Sequence, residues 1–268
     1  MRLLDGFSRA GALRLTGVLV ATVALAACCV GVSSAAAAGV TRTIHVGSLP
    51  AGVSSDGTHV WVANRGEGGA VGTVSEIEAS SGTVIRTIHV GSPVGVSSDG
   101  THVWVTNYGE NTVSEIEASS GTVIRTIHVG STPRGVSSDG THVWVANGGE
   151  TGRKEGTVSE IKASSGTVIR TIHLAGQPPP GDLGAGPWGV SSDGTHVWVA
   201  NNDNNTVSEI QASSGTVIRT IHVGGQPGEV SSDKTHVWVT SGIDTVSEIP
   251  TSYTTAKKHP GNRQRVRR

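Results

Sequence analysis

Histidine recurs in two fixed contexts along this 268-residue sequence. It recurs in Thr-His-Val at His59, His102, His142, His196 and His236, and in Ile-His-Val or Ile-His-Leu at His45, His89, His128, His173 and His222. Imidazoles at these densities could ligate a metal. None, however, stands in H-x-x-x-H or H-E-x-x-H spacing, the pattern that sets two rings on one side of a helix. A residue required in every repeat more often solves a packing problem common to every repeat. Asp56, Asp99, Asp139, Asp193 and Asp233 recur in the same way in Ser-Ser-Asp-Gly or Ser-Ser-Asp-Lys. They could ring a cation, but their ordinary role is to form turns. No Gly-x-Ser-x-Gly, P-loop or dinucleotide fingerprint is present, so no cofactor is expected.

The residues that break the repetition are better candidates. The position between Pro and Gly at the head of each repeat is Ala51, Val94, Arg134, Trp188 and Gly228. The next position is Gly in four repeats and Glu229 in the fifth. Arg134, Trp188 and Glu229 place a cation, a large aromatic and an acid at equivalent positions, which suits a small polar ligand. Tyr108 and Asp182, in neighbouring loops, complete the expected ligand contacts, and no catalytic or metal-binding residue is assigned. A competing reading has Trp188 covering an apolar gap beneath its own long loop.

The elements that position these residues follow from internal self-similarity. The unit P-x-G-V-S-S-D-G-T-H-V-W-V-A-N, a variable loop, then T-V-S-E-I-x-A-S-S-G-T-V-I-R-T-I-H-V-G recurs with Trp61, Trp104, Trp144, Trp198 and Trp238 at its centre. A period of about forty residues, with four strand-like runs per unit, is that of a propeller blade. In the first unit the runs are 52–55, 58–63, 73–78 and 83–90, divided by Asp-Gly and Ala-Ser-Ser-Gly turns. Runs apolar on both faces, such as Val60-Trp61-Val62, suit a sheet covered by neighbours on both sides. The expected fold is all-β: a β-propeller of five four-stranded blades.

A first copy of the fourth run, residues 41–46, precedes every complete unit, whereas the last unit lacks one. The N-terminal strand is therefore expected to complete the last blade and close the ring, removing exposed sheet edges. A three-residue Ser-Ser-Gly turn would then set Glu76 opposite Arg86, and by the same register Glu248 opposite Arg42. In a propeller the fourth-to-first and second-to-third connections share one face, the top. All length variation falls there, at 65–72, 148–156 and 176–187, and variable loops on a rigid scaffold commonly carry binding.

Residues 1–38 are read as a targeting segment, 39–250 as the propeller, and 251–268 as a basic disordered tail. Arg9 and Arg14 precede an apolar run ending in Leu25-Ala26-Ala27-Cys28, a lipobox that would lipidate Cys28. Alternatively, Ala36-Ala37-Ala38 offers a cleavage site before Gly39. Either reading makes the protein extracytoplasmic, secreted or on the cell surface, and touching membrane only through a lipid anchor. Both cysteines, Cys28 and Cys29, lie in this segment. The two ends hold nine of the 20 basic residues and one of the 21 acidic ones, leaving an acidic body that argues against nucleic acid as a partner.

Val105-Thr106-Asn107-Tyr108 followed by Asn111-Thr112-Val113-Ser114, with Pro133-x-Gly135-Val136-Ser137-Ser138-Asp139-Gly140, resembles the YVTN family of β-propeller repeats. A fainter likeness is to streptogramin lyase, whose catalytic residues have no unique counterparts here. The resemblance implies an extracytoplasmic propeller. Three functions then compete: a non-catalytic binding protein for a small polar ligand or an envelope or extracellular partner; a propeller-type lyase or lactone hydrolase; and a structural envelope repeat protein.

Overall fold

The structure, a computed structural model, describes residues 39–68, 71–149, 156–174, 186–242 and 244–251. Cys28, both expected cleavage sites, Asp182 and the basic tail lie outside these residues.

Each repeat forms one antiparallel sheet, and the chain is a β-propeller without helices among the described residues. Blade 1 comprises β1 (Pro50–Ser55), β2 (His59–Asn64), β3 (Thr73–Glu78) and β4 (Thr83–His89). Blade 2 comprises β5 (Pro93–Ser98), β6 (His102–Asn107), β7 (Thr112–Glu117) and β8 (Thr122–His128). Blade 3 comprises β9 (Pro133–Ser138), β10 (His142–Asn147), β11 (Thr157–Lys162) and β12 (Thr167–His173). Blade 4 comprises β13 (Pro187–Ser192), β14 (His196–Asn201), β15 (Thr206–Gln211) and β16 (Thr216–His222). Blade 5 has three strands, β17 (Val230–Ser232), β18 (His236–Ser241) and β19 (Thr245–Pro250).

The β-branched runs predicted as strands are strands, because both faces of each sheet are covered. Four apolar clusters hold the blades together, each built from the front of one sheet and the back of the next. Trp61, Ala63, Val74 and Ile88 of blade 1 meet Val96, Val103, Val105 and Ile116 of blade 2. The same positions recur at the following three junctions.

Repeated polar residues staple these junctions. The Ser98 backbone N–H donates to Ser54 Oγ at 3.0 Å, and Ser98 Oγ donates to Asp56 Oδ2 at 3.2 Å. The same carboxylate oxygen accepts the Trp61 indole N–H at 3.0 Å, while Asp56 Oδ1 accepts the backbone N–H groups of Thr58 and His59. One aspartate thus forms its turn, anchors its own tryptophan and holds the next blade. The Thr-His-Val histidines are spent similarly: His59 lies tilted against Trp61 with its Nε2 3.7 Å from Glu76 Oε1.

The pairing of Glu76 with Arg86 is present, but by a different route from the expected turn. The turn has four residues, setting Glu78 opposite Thr83, and a β-bulge at Ile85 restores Glu76 opposite Arg86. Blades 2, 3 and 4 repeat this register. A bulge adds one residue to one strand and re-aims the side chains beyond it, and this one returns the arginine to the acid's face. Arg86 Nη1 donates to Glu76 Oε2 at 2.8 Å, and the guanidinium reaches on to Ala118 O and Ser119 O of the next blade.

The closing strand pair is not formed. Residues 42–46 belong to no strand, and β19 has no fourth-strand partner among the described residues. Arg42 makes only the forward half of the arginine pattern, donating through Nη2 to Ser80 O of blade 1 at 2.9 Å. Glu248 instead faces His236, with Nε2 at 3.5 Å.

Candidate functional site

The site is built on the heads of the inner strands, where Pro-x-Gly begins each repeat. The glycine is needed because the next blade comes very close. A Cβ on Gly52, Gly135 or Gly189 would stand 2.6, 2.5 or 2.7 Å from the carbonyl oxygens of Val94, Trp188 and Gly228 respectively. One on Gly95 would likewise collide with Arg134 O. Each glycine therefore abuts the variable residue of the following blade, and these residues stand side by side in order. Substitution at the variable position changes the side chain presented there and leaves the backbone contact intact.

Among them, Arg134 makes cation–π contacts with two aromatic rings. Its Cζ lies 4.5 Å from the Trp188 ring centroid and 5.1 Å from that of Tyr108. Three blades contribute: Tyr108 from the turn after β6, Arg134 from β9 and Trp188 from β13. Cation–π contacts of this kind gain strength as water is excluded. The backbone of Arg134 is pinned by Thr106, whose Oγ1 donates to Arg134 O at 2.7 Å and accepts the Gly95 N–H at 2.8 Å.

The guanidinium Nε is buried and has no hydrogen-bond partner. Burial lowers the Arg134 pKa, with Tyr108 and Asp203 opposing the shift and Arg65 adding to it. A guanidinium remains charged throughout the physiological range nonetheless.

Glu229 stands at the same level. Gly189 N–H donates to Gly228 O at 3.0 Å, and a Cβ on Gly189 would lie 2.9 Å from Glu229 Cα. The Glu229 N–H donates to Thr240 Oγ1 at 2.9 Å. Its carboxyl pKa is raised by burial, with no cation contributing. Water reaches the residue, so the shift reflects protein walls around an accessible acid. The structure thus brings Tyr108, Arg134 and Trp188 into contact, and sets Glu229 beside Trp188 in the strand order rather than against Arg134.

Sequence reasoning missed Thr106, Asp203 and Arg65. Thr106 was detectable: Val-Thr-Asn replaces Val-Ala-Asn there and the Val-Thr step recurs at Thr240, the two positions where a hydroxyl fixes the head of an inner strand. Asp203 and Arg65 lie in loops whose conformation no repeat pattern predicts.

The opposite ends of the inner strands carry the repeated aspartates. Burial would raise the Asp56 and Asp99 carboxyls, but hydrogen bonds from His59, Trp61 and Thr58 hold Asp56 well below the usual carboxylate range, and those from His102, Thr101, Trp104 and Ser138 lower Asp99. Their oxygens are engaged by the turn and the blade junction.

No protein-family model matches this chain, and no curated protein matches it in sequence. Similar solved structures include a streptogramin B lyase (16% identity, TM-score 0.55, covering 78% of this chain and 71% of that one). Another is a chain of a nidogen/laminin complex (13% identity, TM-score 0.55, 72% of each chain). A Kuenenia stuttgartiensis hydrazine synthase chain has 18% identity and a TM-score of 0.49, over 76% of this chain and 84% of that one. At such identities the first two likenesses concern the fold alone, and the fold they share with the five sheets described above is the β-propeller.

Proposed function

We propose that this β-propeller is an exported, non-catalytic binding protein of the YVTN-repeat type, with its ligand site on the top face around Arg134, Trp188 and Tyr108. One observation carries the reading. Where three successive blades depart from the repeat, at Tyr108, Arg134 and Trp188, their departures meet in a single cation–aromatic stack. The repeat register sets these positions side by side, and it is the pairing of a cation with two aromatic rings there that suits a binding site. Glu229 extends the site along the same face, and the ligand is a small polar molecule or an exposed polar group on an envelope or extracellular partner.

A thermal-shift screen of small polar molecules against the purified protein, with and without divalent metal, tests the proposal. Hits should raise the midpoint and lose their effect in Trp188→Ala. Hits that survive both Trp188→Ala and Arg134→Gln would place binding elsewhere. Export is tested by fractionation: Cys28→Ala releases the protein from membranes if the lipobox is used, and changes nothing if cleavage precedes Gly39. An intact N-terminus would overturn both routes.

A further inference from the structure

We infer that the ligand recognised at this site carries a carboxylate, and that Arg134 receives it; the inference rests on the binding function proposed above. Arg134 is a cation without a hydrogen-bonded anion. Its Nε is buried and unpartnered. Structural arginines in the same molecule behave otherwise. Arg86 and Arg125 each bond a buried glutamate, at 2.8 and 2.6 Å, and Arg86 also bonds two carbonyls of the next blade. The fold therefore has a standard way of satisfying an arginine and does not apply it at position 134.

Leaving the buried Nε–H without an acceptor costs stability, and a bound anion that reaches it removes that cost. Of the groups around it, Tyr108 and Asp203 favour the cation and Arg65 opposes it.

The two rings choose among anions. Trp188 and Tyr108 lie over Arg134 Cζ at 4.5 and 5.1 Å, and their faces carry the negative lobes of the ring quadrupoles. A planar carboxylate can meet a guanidinium fork edge-on within its own plane. A tetrahedral phosphate would turn its remaining oxygens toward the ring faces. Thr106, bonded to Arg134 O, and Gly135, abutting Trp188 O, fix the backbone positions of the cation and one ring before any ligand arrives. Preorganisation of this kind lowers the entropic cost of binding.

Succinate, inorganic phosphate, neutral succinamide and choline serve as probes on the full exported protein. The readouts are Trp188 fluorescence, assigned by its loss in Trp188→Phe, and the 15N resonance of Arg134 Nε. Succinate should shift both, saturably and more weakly as salt rises, and should bind at least tenfold more tightly than phosphate. Arg134→Lys keeps the charge and loses the fork, so it should weaken succinate binding at least tenfold; Arg134→Gln should abolish it while its thermal midpoint stays close to that of the parent. Succinamide or choline binding as well as succinate, phosphate binding more tightly, or succinate binding undiminished in Arg134→Gln would each overturn the inference. If only neutral or cationic probes perturb top-face resonances, the carboxylate assignment fails and the binding function stands. If no probe perturbs them, both fail.

Discussion

Blades 4 and 5 have nearly the same sequence in their central strands and very different environments. Trp198 is fully buried and Trp238 is 44% exposed. The side chain of Glu209 is 1% exposed and that of Glu248 is 50% exposed. Residue type is constant across each pair, so the change comes from the neighbour: blade 4 has a following sheet against its front face and blade 5 has none among the described residues. At the other end, Val53 on β1 is 68% exposed, whereas its counterparts Val96, Val136, Val190 and Val230 are buried. Quasi-one-dimensional arrays behave in this way, each unit drawing its stability from the adjoining ones. The repeat is thus a set of interface residues, and the terminal unit shows what they do without an interface.

The largest test of this comparison is tryptophan removal. Trp144→Ala empties a buried site between blades 3 and 4 and should cost about 3–5 kcal/mol. Trp238→Ala should cost less than half as much, since water already reaches that ring. Urea denaturation measures both, and equal losses would mean that a sheet covers Trp238 in solution. Arginine replacement sharpens the point. Arg86→Ala strands the buried Glu76 and should cost about 3 kcal/mol, the low end for a broken buried pair because the arginine is partly exposed. Arg42→Ala loses a single hydrogen bond to Ser80 and should cost about 1 kcal/mol. Should the two prove equal, Arg42 and Glu248 pair as the sequence register implies, and the ring closes.

Much of the fold was legible because period, turn chemistry and strand alternation agree. Asp56-Gly57 marks a turn wherever it occurs, and the apolar runs end where those turns begin. The Glu76–Arg86 pair was legible in outcome and illegible in cause: Thr83-Val84-Ile85 gives no local sign that Ile85 bulges, because the bulge is set by the geometry of the four-residue turn before it. Closure was less legible still. Counting strand-like runs establishes that residues 41–46 match the missing strand and says nothing of whether four completed junctions bring β19 within reach of them. At the site, Arg134 and Trp188 stood out as departures from a repeat, whereas the stacking that includes Tyr108 depends on loop conformation.

The glycine at the head of each inner strand gives a smaller effect. Gly135→Ala pushes a methyl against Trp188 O and should destabilise by about 1–3 kcal/mol, as overpacking does. At the corresponding position of blade 5 the chain itself carries Glu229, so Glu229→Ala should change stability by less than about 0.5 kcal/mol. A tolerated Gly135→Ala would show that the inner strands can part without cost. The same substitution should also weaken ligand binding, because Trp188 would move with its carbonyl.

The smallest effects come from acid. Asp56, Asp99, Asp139 and Asp193 are all held below the ordinary aspartate range, hydrogen bonds outweighing the opposing influence of burial. Asp233, at the uncovered end, is lowered to about 2, chiefly by the Thr235 hydroxyl and the His236 and Thr235 backbone N–H groups. A depressed carboxyl contributes stability that is fully present above its unfolded pKa, about 3.9, and that is lost as pH falls through the folded value. Glu160, Glu209 and Glu229 have the opposite sign: burial, the largest influence on each, raises them. Protonating them on the way down to about pH 4.3 therefore adds stability. Together these shifts place the stability maximum in mild acid, with a steep loss between about pH 4 and pH 2. Asp99→Asn removes one titrating group from an inner junction and should flatten that loss by at most about 1.4 kcal/mol per pH unit. At neutral pH it also weakens the hold on Trp104 and Ser138, which share Asp99 Oδ2. Asp233→Asn should flatten the acid limb too, but with little neutral-pH cost, since Asp233 sits at the uncovered end with its side chain 59% exposed and bonds within its own turn, to Thr235 and His236. Stability constant from pH 4 to pH 2 would show that these hydrogen bonds do not survive in solution, and with them the account of how one blade holds the next.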